Sequence, residues 1–493
     1  MTGAGLRLCE AVHVPLPCGG RGRCGNCAVY ARGALSPISQ DEAALLQKCT
    51  GEPPEGFTRR LACFCVLEGE AEVLLPDEAA AARPLAMGSL PDYDGGAPGL
   101  FGLAVDIGTT AITLAAYRLP EQEPVAVITE MNHQSAHGAD VISRIDGDAA
   151  LLHRCVTAQL ADMIANTGID SNEVTRAVVT GNTAMLHLFA GLDPSGMGRA
   201  PFTPRSLFGE AAACAFLPKA EVYLPPCITA FVGADIACGA LAADILGHPS
   251  AFLIDVGTNG EMLLHVGGRL LCCSTAAGPA FEGAEISQGM PALPGAVDRV
   301  WQEGGHLRWS SVASLRPVRG ICGTGMVSAL RAFYERGSLD ETGAIVDRED
   351  DPYLLWREDG PALWLGDCGV ALTQRDVRRL QLVKASIAAG ISTLLSEADV
   401  RAEGIEQVWL AGGFGSTLNP ADAAAIGMIP AGLAPRARAG GNLALRGAAM
   451  LLFSKSLREE ARHIARVAAE IPLATHPVFQ EEFIEQMGFP ELE

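Results

Sequence analysis

The stretch LFGLAVDIGTTAITLAAY, residues 100–117, decides how the rest of the chain is read. An apolar run, a tight Asp-x-Gly-Thr-Thr turn at Asp106 and Gly108, and a second apolar run predict two strands folded back on each other. The plan recurs in AFLIDVGTNGEMLLHV, residues 251–266, where Asp255 lies 149 residues beyond Asp106. Each opening is followed by an amphipathic helix, LLHRCVTAQLADMIANTGI at 151–169 and VRRLQLVKASIAAGISTLLSEA at 377–398. A further strand then ends in glycine or small polar residues, AVVTGNT at 177–183 and QVWLAGGFG at 407–415. So long a period predicts a duplicated α/β domain with two lobes and a cleft between them.

The turn suits phosphate. Its glycine lets backbone N–H groups face an anion, its threonine adds a hydroxyl donor, and its aspartate is suited to holding a hydrated magnesium ion. A single copy would read as an ordinary hairpin. Two copies with matched flanks, followed by the glycine-rich AGGFG at 411–415, read as a nucleotide site.

These three stretches resemble the two phosphate motifs and the adenosine motif of the superfamily that contains acetate and sugar kinases, heat-shock chaperone ATPases and actin. The resemblance spans about residues 100–470 and implies a two-lobed, actin-like (ribonuclease H-like) ATPase that binds ATP with Mg2+. It implies Asp106, Gly108, Thr109 and Thr110 in the first phosphate loop, and Asp255, Gly257, Thr258, Asn259 and Glu261 in the second. Gly412, Gly413 and Gly415 fall in the adenosine motif, and GICGTGM at 320–326 where the superfamily has a hinge. Asp235, in FVGADIACGAL at 231–241, falls where the sugar kinases place a catalytic carboxylate. It is a candidate for orienting an attacking water, with an N-cap or surface acid of the following helix as the alternative.

The 493 residues suggest roughly three compact units. A formal charge of −21 would repel a phosphate backbone, which argues against nucleic acid. No apolar run of about 18 residues free of charges or turn formers suggests a membrane span, and no export leader is visible, so a cytoplasmic protein is expected. Fifteen cysteines in such a chain argue for reduced thiols and a cofactor.

Seven of those cysteines fall before Pro76, three of them in CGGRGRCGNC at 18–27. Glycines 19, 20, 22 and 25 suit a loop that curls round a two-iron cluster held by four thiolates. Zinc and plain structural thiols are the alternatives, but the region has one C-x2-C knuckle and only His13. The spacing of Cys18, Cys24 and Cys27 resembles that of vertebrate-type and many bacterial 2Fe-2S ferredoxins, which carry an Arg-Leu-x-Cys segment downstream. RLACFC at 60–65 then implies Cys63 as fourth ligand, with Cys9, Cys49 and Cys65 as ordinary thiols. A β-grasp ferredoxin domain normally begins with a hairpin, and LRLCEAVHVPLP at 6–17 supplies a helix at most. Either the start lies too far downstream or another segment completes the sheet. The expected organisation is a ferredoxin-like domain over 1–76, a linker over 77–99, ATPase lobes over 100–247 and 248–475, and a tail over 476–493.

A cluster joined to an ATP cleft resembles the reductive activators of corrinoid-dependent enzymes. GADVISRI at 138–145, TGNTAMLHLFAG at 180–191, STAAGPAFEGAEISQGM at 274–290 and GGFGSTLN at 412–419 look like that family. The resemblance implies ATP-dependent electron transfer from the 2Fe-2S cluster to Co(II) on a corrinoid protein partner, restoring Co(I) for methyl transfer. An external low-potential donor would reduce the cluster, and a homodimer is allowed. A small-molecule kinase would not need the cluster. An activator of radical dehydratases would need a cysteine pair within the ATPase, and none is evident among Cys155, Cys214, Cys227, Cys238, Cys322 and Cys368. A redox sensor, the non-enzymatic alternative, would bind nucleotide with negligible turnover. His133 and His137 read as a polar loop, and Cys272 and Cys273 as half-buried residues of a strand.

Overall fold

The computed structural model describes residues 5–8, 28–46, 56–74, 90–95, 100–138, 140–283, 285–314, 318–358 and 360–491. Cys9, Cys18, Cys24, Cys27 and Cys49 lie outside the described residues, as do 77–89 and 96–99 of the expected linker.

Near the N-terminus, β1 (Ala28–Leu35) runs antiparallel between β2 (Thr58–Leu61) and β3 (Leu67–Leu74), with helix α1 (Gln40–Leu46) alongside β2. The strand expected from GEAEVLLP is β3. The described core is small, formed by Leu8, Val29, Ala31, Leu61, Ala62, Cys65 and Leu67. It encloses an ion pair: Arg60 donates to both carboxylate oxygens of Glu42 at 2.9 and 3.0 Å, and the Leu61 amide donates to the same carboxylate at 2.8 Å. Leu6 and Arg7 are not helical. They run beside the residues that lead into β3, where Arg7 bridges Val66 and the Leu8 amide donates to the Cys65 carbonyl at 2.8 Å.

The duplication is present in the backbone. β4 (Leu100–Ile107), β5 (Ala111–Leu119) and β6 (Glu123–Met131) form an antiparallel meander, and β7 (Val174–Gly181) and β9 (Glu221–Leu224) extend it in parallel beyond β4. The short β8 (Glu210–Ala212) closes that edge, giving the order β6-β5-β4-β7-β9-β8. β10 (Ser250–Val256), β11 (Gly260–Val266) and β12 (Arg269–Thr275) repeat the meander. Two small sheets are inserted before the second repeat resumes: β13 (Ala296–Glu303) with β14 (His306–Ser311) and β15 (Gly320–Ile321), then β16 (Leu354–Arg357) with β17 (Gly360–Trp364) and β18 (Ala371–Thr373). β19 (Gln407–Ala411) and β20 (Ala437–Gly441) then lie parallel beyond β10, and β21 (Ala469–Glu470) lies beside β12. Matched orders of this kind arise when one α/β plan is used twice.

The two expected helices are α2 (Ala149–Asn166) and, after α3 (Thr183–Phe189), α4 (Ala234–Ala242) and α5 (Gly323–Glu335), the long α6 (Gln374–Ala398). Thr373 caps α6 in a reciprocal box with Asp376, whose carboxylate also accepts from the Ser287 amide at 2.8 Å. α7 (Leu443–Phe453), from the second repeat, packs on α4 and on β4 and β7 of the first, so a single apolar core joins Ala104 and Tyr117 to Leu253, Leu445 and Phe453. Gly447 makes this crossing possible, since a Cβ there would strike the backbone of Cys238.

Residues 90–95 of the expected linker belong to this body. Tyr93 meets the Phe453 ring edge-on at 6.2 Å, and Asp94 accepts from Arg176 at 2.8 Å. Within the C-terminal tail, α8 (Pro477–Glu485) packs on α6, Tyr334 donates to the Pro490 carbonyl at 2.6 Å, and buried Lys384 donates to the carbonyls of Gln486 and Gly488. Cys272 and Cys273 are fully buried rather than half-buried, because β12 is covered on both faces. No helix among the described residues is long and apolar enough to cross a membrane.

Candidate functional site

β4 and β10 deliver Asp106 and Asp255 to equivalent strand ends. Each faces a parallel strand that stops nearby, Asp106 opposite Thr180 on β7 and Asp255 opposite Ala411 on β19. Across the second hairpin Asp255 pairs in register with Glu261, which puts the two carboxylates on one face of the sheet. Asp235 sits in the first turn of α4, where its carboxylate accepts from the Ile236 amide at 2.9 Å, while Gly233 holds the N-cap position. It therefore has a helix-terminal place and also belongs to the acid cluster.

Burial raises all four acids, and the Asp106 charge adds to the rise of the other three. Burial pushes Asp106 up to about 6, with a hydrogen bond from Asn442 pulling the other way. Burial and then the Asp106 charge push Asp255 up to about 7. Asp235, buried beside Asp106 and Asp255, rises to about 8. Glu261 is driven well above the carboxylate range by burial and by Asp235, Asp255 and Asp106. Its Oε1 is buried without a hydrogen-bond partner among the described residues. A buried acceptor left without a donor is costly unless a cation, a water or a protonated ligand group completes it.

The first loop is built by residues far apart in sequence. The Gly108 amide donates to the Ala111 carbonyl at 3.0 Å, and Asn132 Nδ2 donates to the Gly108 carbonyl at 2.8 Å. Fully buried Arg144 donates to the Thr109 carbonyl at 2.7 Å, and Asn182 Nδ2 donates to the Thr109 hydroxyl at 3.2 Å. In the second loop the Gly257 amide donates to the Asn259 carbonyl at 3.0 Å. The Thr110 and Thr258 hydroxyls of the two loops lie 3.0 Å apart. Gly412 has φ +86° and directly abuts Asp255, so the glycine-rich segment backs onto the second loop, while Gly413 has open space where a side chain would be. Gly320–Met326 forms β15 and the start of α5, where Gly323 is pressed against Phe281 and the ring of Phe414.

The structure thus brings Asp106, Asp235, Asp255, Glu261, Thr110, Thr258 and the glycine segment to one place. Hydroxyl donors, glycine turns and an incomplete buried carboxylate fit a magnesium nucleotide. Magnesium keeps most of its waters and needs one or two carboxylates besides phosphate oxygens. Among the described residues no three His, Cys, Asp or Glu side chains converge to ligate a metal directly, and His133 and His137 lie exposed around a single 3-10 turn. A cavity of about 880 Å³, lined by His153, Phe189, Cys214 and Phe216 on the first lobe, includes none of these site residues. Of the proposed cluster ligands only Cys63 is described. It is buried in the turn after β2, whereas burial pushes the thiol of Cys65 up to about 11, a poor start for a thiolate ligand.

Asn442, Glu282, Asn132, Asn182 and Arg144 were not among the residues expected from sequence. Asn442 carried a legible signal, an Asn just before the apolar run LALRGAAMLLF. Arg144 and Glu282 sit in stretches that had marked only the family resemblance, and Asn182 lies also in the stretch AVVTGNT, read as a strand end.

This is a duplicated, two-lobed core of the ASKHA class. The family described as the C-terminal domain of RACo, the ASKHA domain, matches residues 250–493, and the one described as the RACo middle region matches 101–247. The chain belongs to this family. It is 31% identical over 420 residues to the corrinoid activation enzyme RamQ of Eubacterium limosum, an alignment covering 78% of this chain and 70% of that protein. It is 27% identical over 436 residues to the Co(II) methylated amine-specific corrinoid protein reductase of Methanosarcina barkeri, covering 79% and 77%. Among solved structures, a reductive activator for corrinoid, iron-sulfur protein matches with a TM-score of 0.73 and 26% identity, over 100% of this chain and 97% of that one.

Proposed function

We propose that this protein uses ATP to drive the reductive activation of a corrinoid protein, returning cobalt from Co(II) to Co(I). The observation that carries the proposal is the full-length likeness to a reductive activator for corrinoid, iron-sulfur protein, which spans the N-terminal segment as well as both lobes. Cys18, Cys24, Cys27 and Cys63 would hold a 2Fe-2S cluster. When bound, such a cluster supplies a one-electron store, near roughly −400 mV in plant-type ferredoxins. The corrinoid protein and an external low-potential donor are the partners.

In the ATPase, Thr110 and Thr258 offer hydroxyls to phosphate oxygens from opposite lobes. Asp106 and Asp255 would hold the waters of magnesium, and Gly412, Gly413 and Gly415 would leave room for adenosine. Asp235, with its raised affinity for protons, is the candidate general base that orients water. Thr110 belongs to the first hairpin and Thr258 to the second, so a phosphate held by both ties the lobes together. Only contacts that differ between nucleotide states can bias the lobes, and with them a docked partner.

The test combines two measurements on anaerobically reconstituted protein: iron and sulfide content with the spectrum of the reduced state, and ATP hydrolysis. Equal iron and sulfide, lost in Cys24→Ala while hydrolysis persists, supports the assignment. Full cluster content in Cys24→Ala would remove that ligand set, and absence of hydrolysis at any corrinoid concentration would remove the ATP half.

A further inference from the structure

Glu282 holds both phosphate loops. Its Oε2 accepts from the Thr110 hydroxyl at 2.6 Å, and its two oxygens lie 3.1 and 3.2 Å from the Thr258 hydroxyl. Each threonine has one hydroxyl proton. Thr110 commits its proton to Glu282, and among the described residues the acceptors within reach of Thr258 are Glu282 and Thr110. The carboxylate is half-buried, and the two hydroxyls offset part of the cost of keeping it charged.

The segment around Glu282 is built to turn. Pro279–Glu282 is a single 3-10 turn between Gly278, φ +85°, and Gly283, φ +91°, conformations that cost glycine little. On its far side Ser287 is fixed to Asp376. The residue before Glu282, Phe281, stacks on Phe414 of the glycine-rich segment with ring centroids 4.7 Å apart and planes 7° from parallel. One short turn therefore joins hydroxyls of both lobes to the adenosine motif.

We propose that Glu282 and a nucleotide phosphate compete for the Thr110 and Thr258 hydroxyls, so that phosphate binding displaces Glu282 and moves the Phe281–Phe414 stack with it. Glu282 is thereby a residue that sets affinity for the phosphate end of the ligand and passes its arrival to the adenosine end. The inference rests on the ATP assignment above. A carboxylate cannot share a hydroxyl proton with a phosphate oxygen, and its charge opposes the polyphosphate at short range.

The experiment is direct binding of MgATP and of adenosine to the wild-type chain, Glu282→Gln and Glu282→Ala, with thermal melts to establish folding. Glu282→Ala is expected to bind MgATP about three- to tenfold tighter, the scale of the net contribution of one ordinary hydrogen bond, with adenosine affinity unchanged. Glu282→Gln, which keeps an acceptor without the charge, should fall between. In the wild-type chain, saturating MgATP but not adenosine should change amide exchange over 278–283, a readout that does not depend on either variant folding. Equal or weaker MgATP binding in a folded Glu282→Ala, or unchanged exchange with MgATP bound, overturns the competition while leaving the ATP assignment intact. A wild-type chain that binds no MgATP overturns both.

Discussion

Asn442 Nδ2 donates to Asp106 Oδ2 at 2.7 Å across 336 residues of chain, while Asn442 Oδ1 caps α7 by accepting from the Leu445 amide at 2.8 Å. One side chain thus fixes a helix of the second repeat and the key carboxylate of the first. Asn442→Ala removes both bonds. Loss of the cap costs about 1 kcal/mol, and melting should fall by about 2–4 °C. ATP hydrolysis should fall on the order of tenfold as Asp106 loses its orientation. Asn442→Asp keeps a capping oxygen but adds a carboxylate to the acid cluster, so its hydrolysis should drop further while its cap survives. Equal activity in both variants would detach Asn442 from the site.

Asp235→Asn separates chemistry from stability. Removing a general base lowers turnover by about 10²–10⁴-fold, and MgATP binding should persist. The sign of the stability effect follows from the raised proton affinity of Asp235, about 8 in the fold against an ordinary 3.8. Such an acid costs nothing below its unfolded value, and its penalty grows as pH rises through the interval up to about 8. The variant should therefore melt higher than wild type by a margin that widens from pH 5 to pH 8. A margin independent of pH would contradict the placement of Asp235 among the other acids.

Arg144 shapes the first loop from beneath, donating to the carbonyls of Gly138 at 2.9 Å and Thr109 at 2.7 Å. Lysine cannot reproduce that fork. Arg144→Lys should weaken MgATP binding by about tenfold in calorimetry, about 1.4 kcal/mol, with little effect on adenosine. Equal losses for both ligands would mean general unfolding of the lobe.

The buried Glu42–Arg60 pair tests the N-terminal segment separately. It clamps β2, which ends two residues before Cys63. Removing one partner of a buried pair costs about 3–5 kcal/mol, a large share of what so small a core supplies. Glu42→Ala should lose iron on purification and keep ATP hydrolysis within about twofold of wild type, a direct check that the two parts fold independently. Retained iron would show that β2 does not position the cluster ligand.

The repeated hairpins were legible because strand, turn and strand are local, and two copies fixed the plan: Asp106 and Asp255 stand where the turns predicted. The glycines at 412, 413 and 415 were legible as a turn closing β19 for the same reason. The cap at Asn442 was legible but its bond to Asp106 was not, because that bond forms only where the two repeats cross, and Arg144 was not because it reaches the Thr109 carbonyl from 35 residues away. Glu282 was hidden differently, since an acid in a glycine-bounded turn gives no local sign of which hydroxyls it meets. The fusion of the lobes through α7 was invisible too, for an apolar helix does not announce which sheet it covers. The segment 90–95 reads as linker by composition, yet Tyr93 and Asp94 each find a partner.

The most direct test of the central claim is anaerobic. Chemically reduced protein is mixed with a Co(II) corrinoid protein, and the visible spectrum is followed with and without MgATP. Co(I) appearing only with MgATP, and not in Cys24→Ala, is the predicted result. Co(I) formed equally well without nucleotide, or none formed across a panel of corrinoid proteins despite an intact cluster and active ATP hydrolysis, would contradict it.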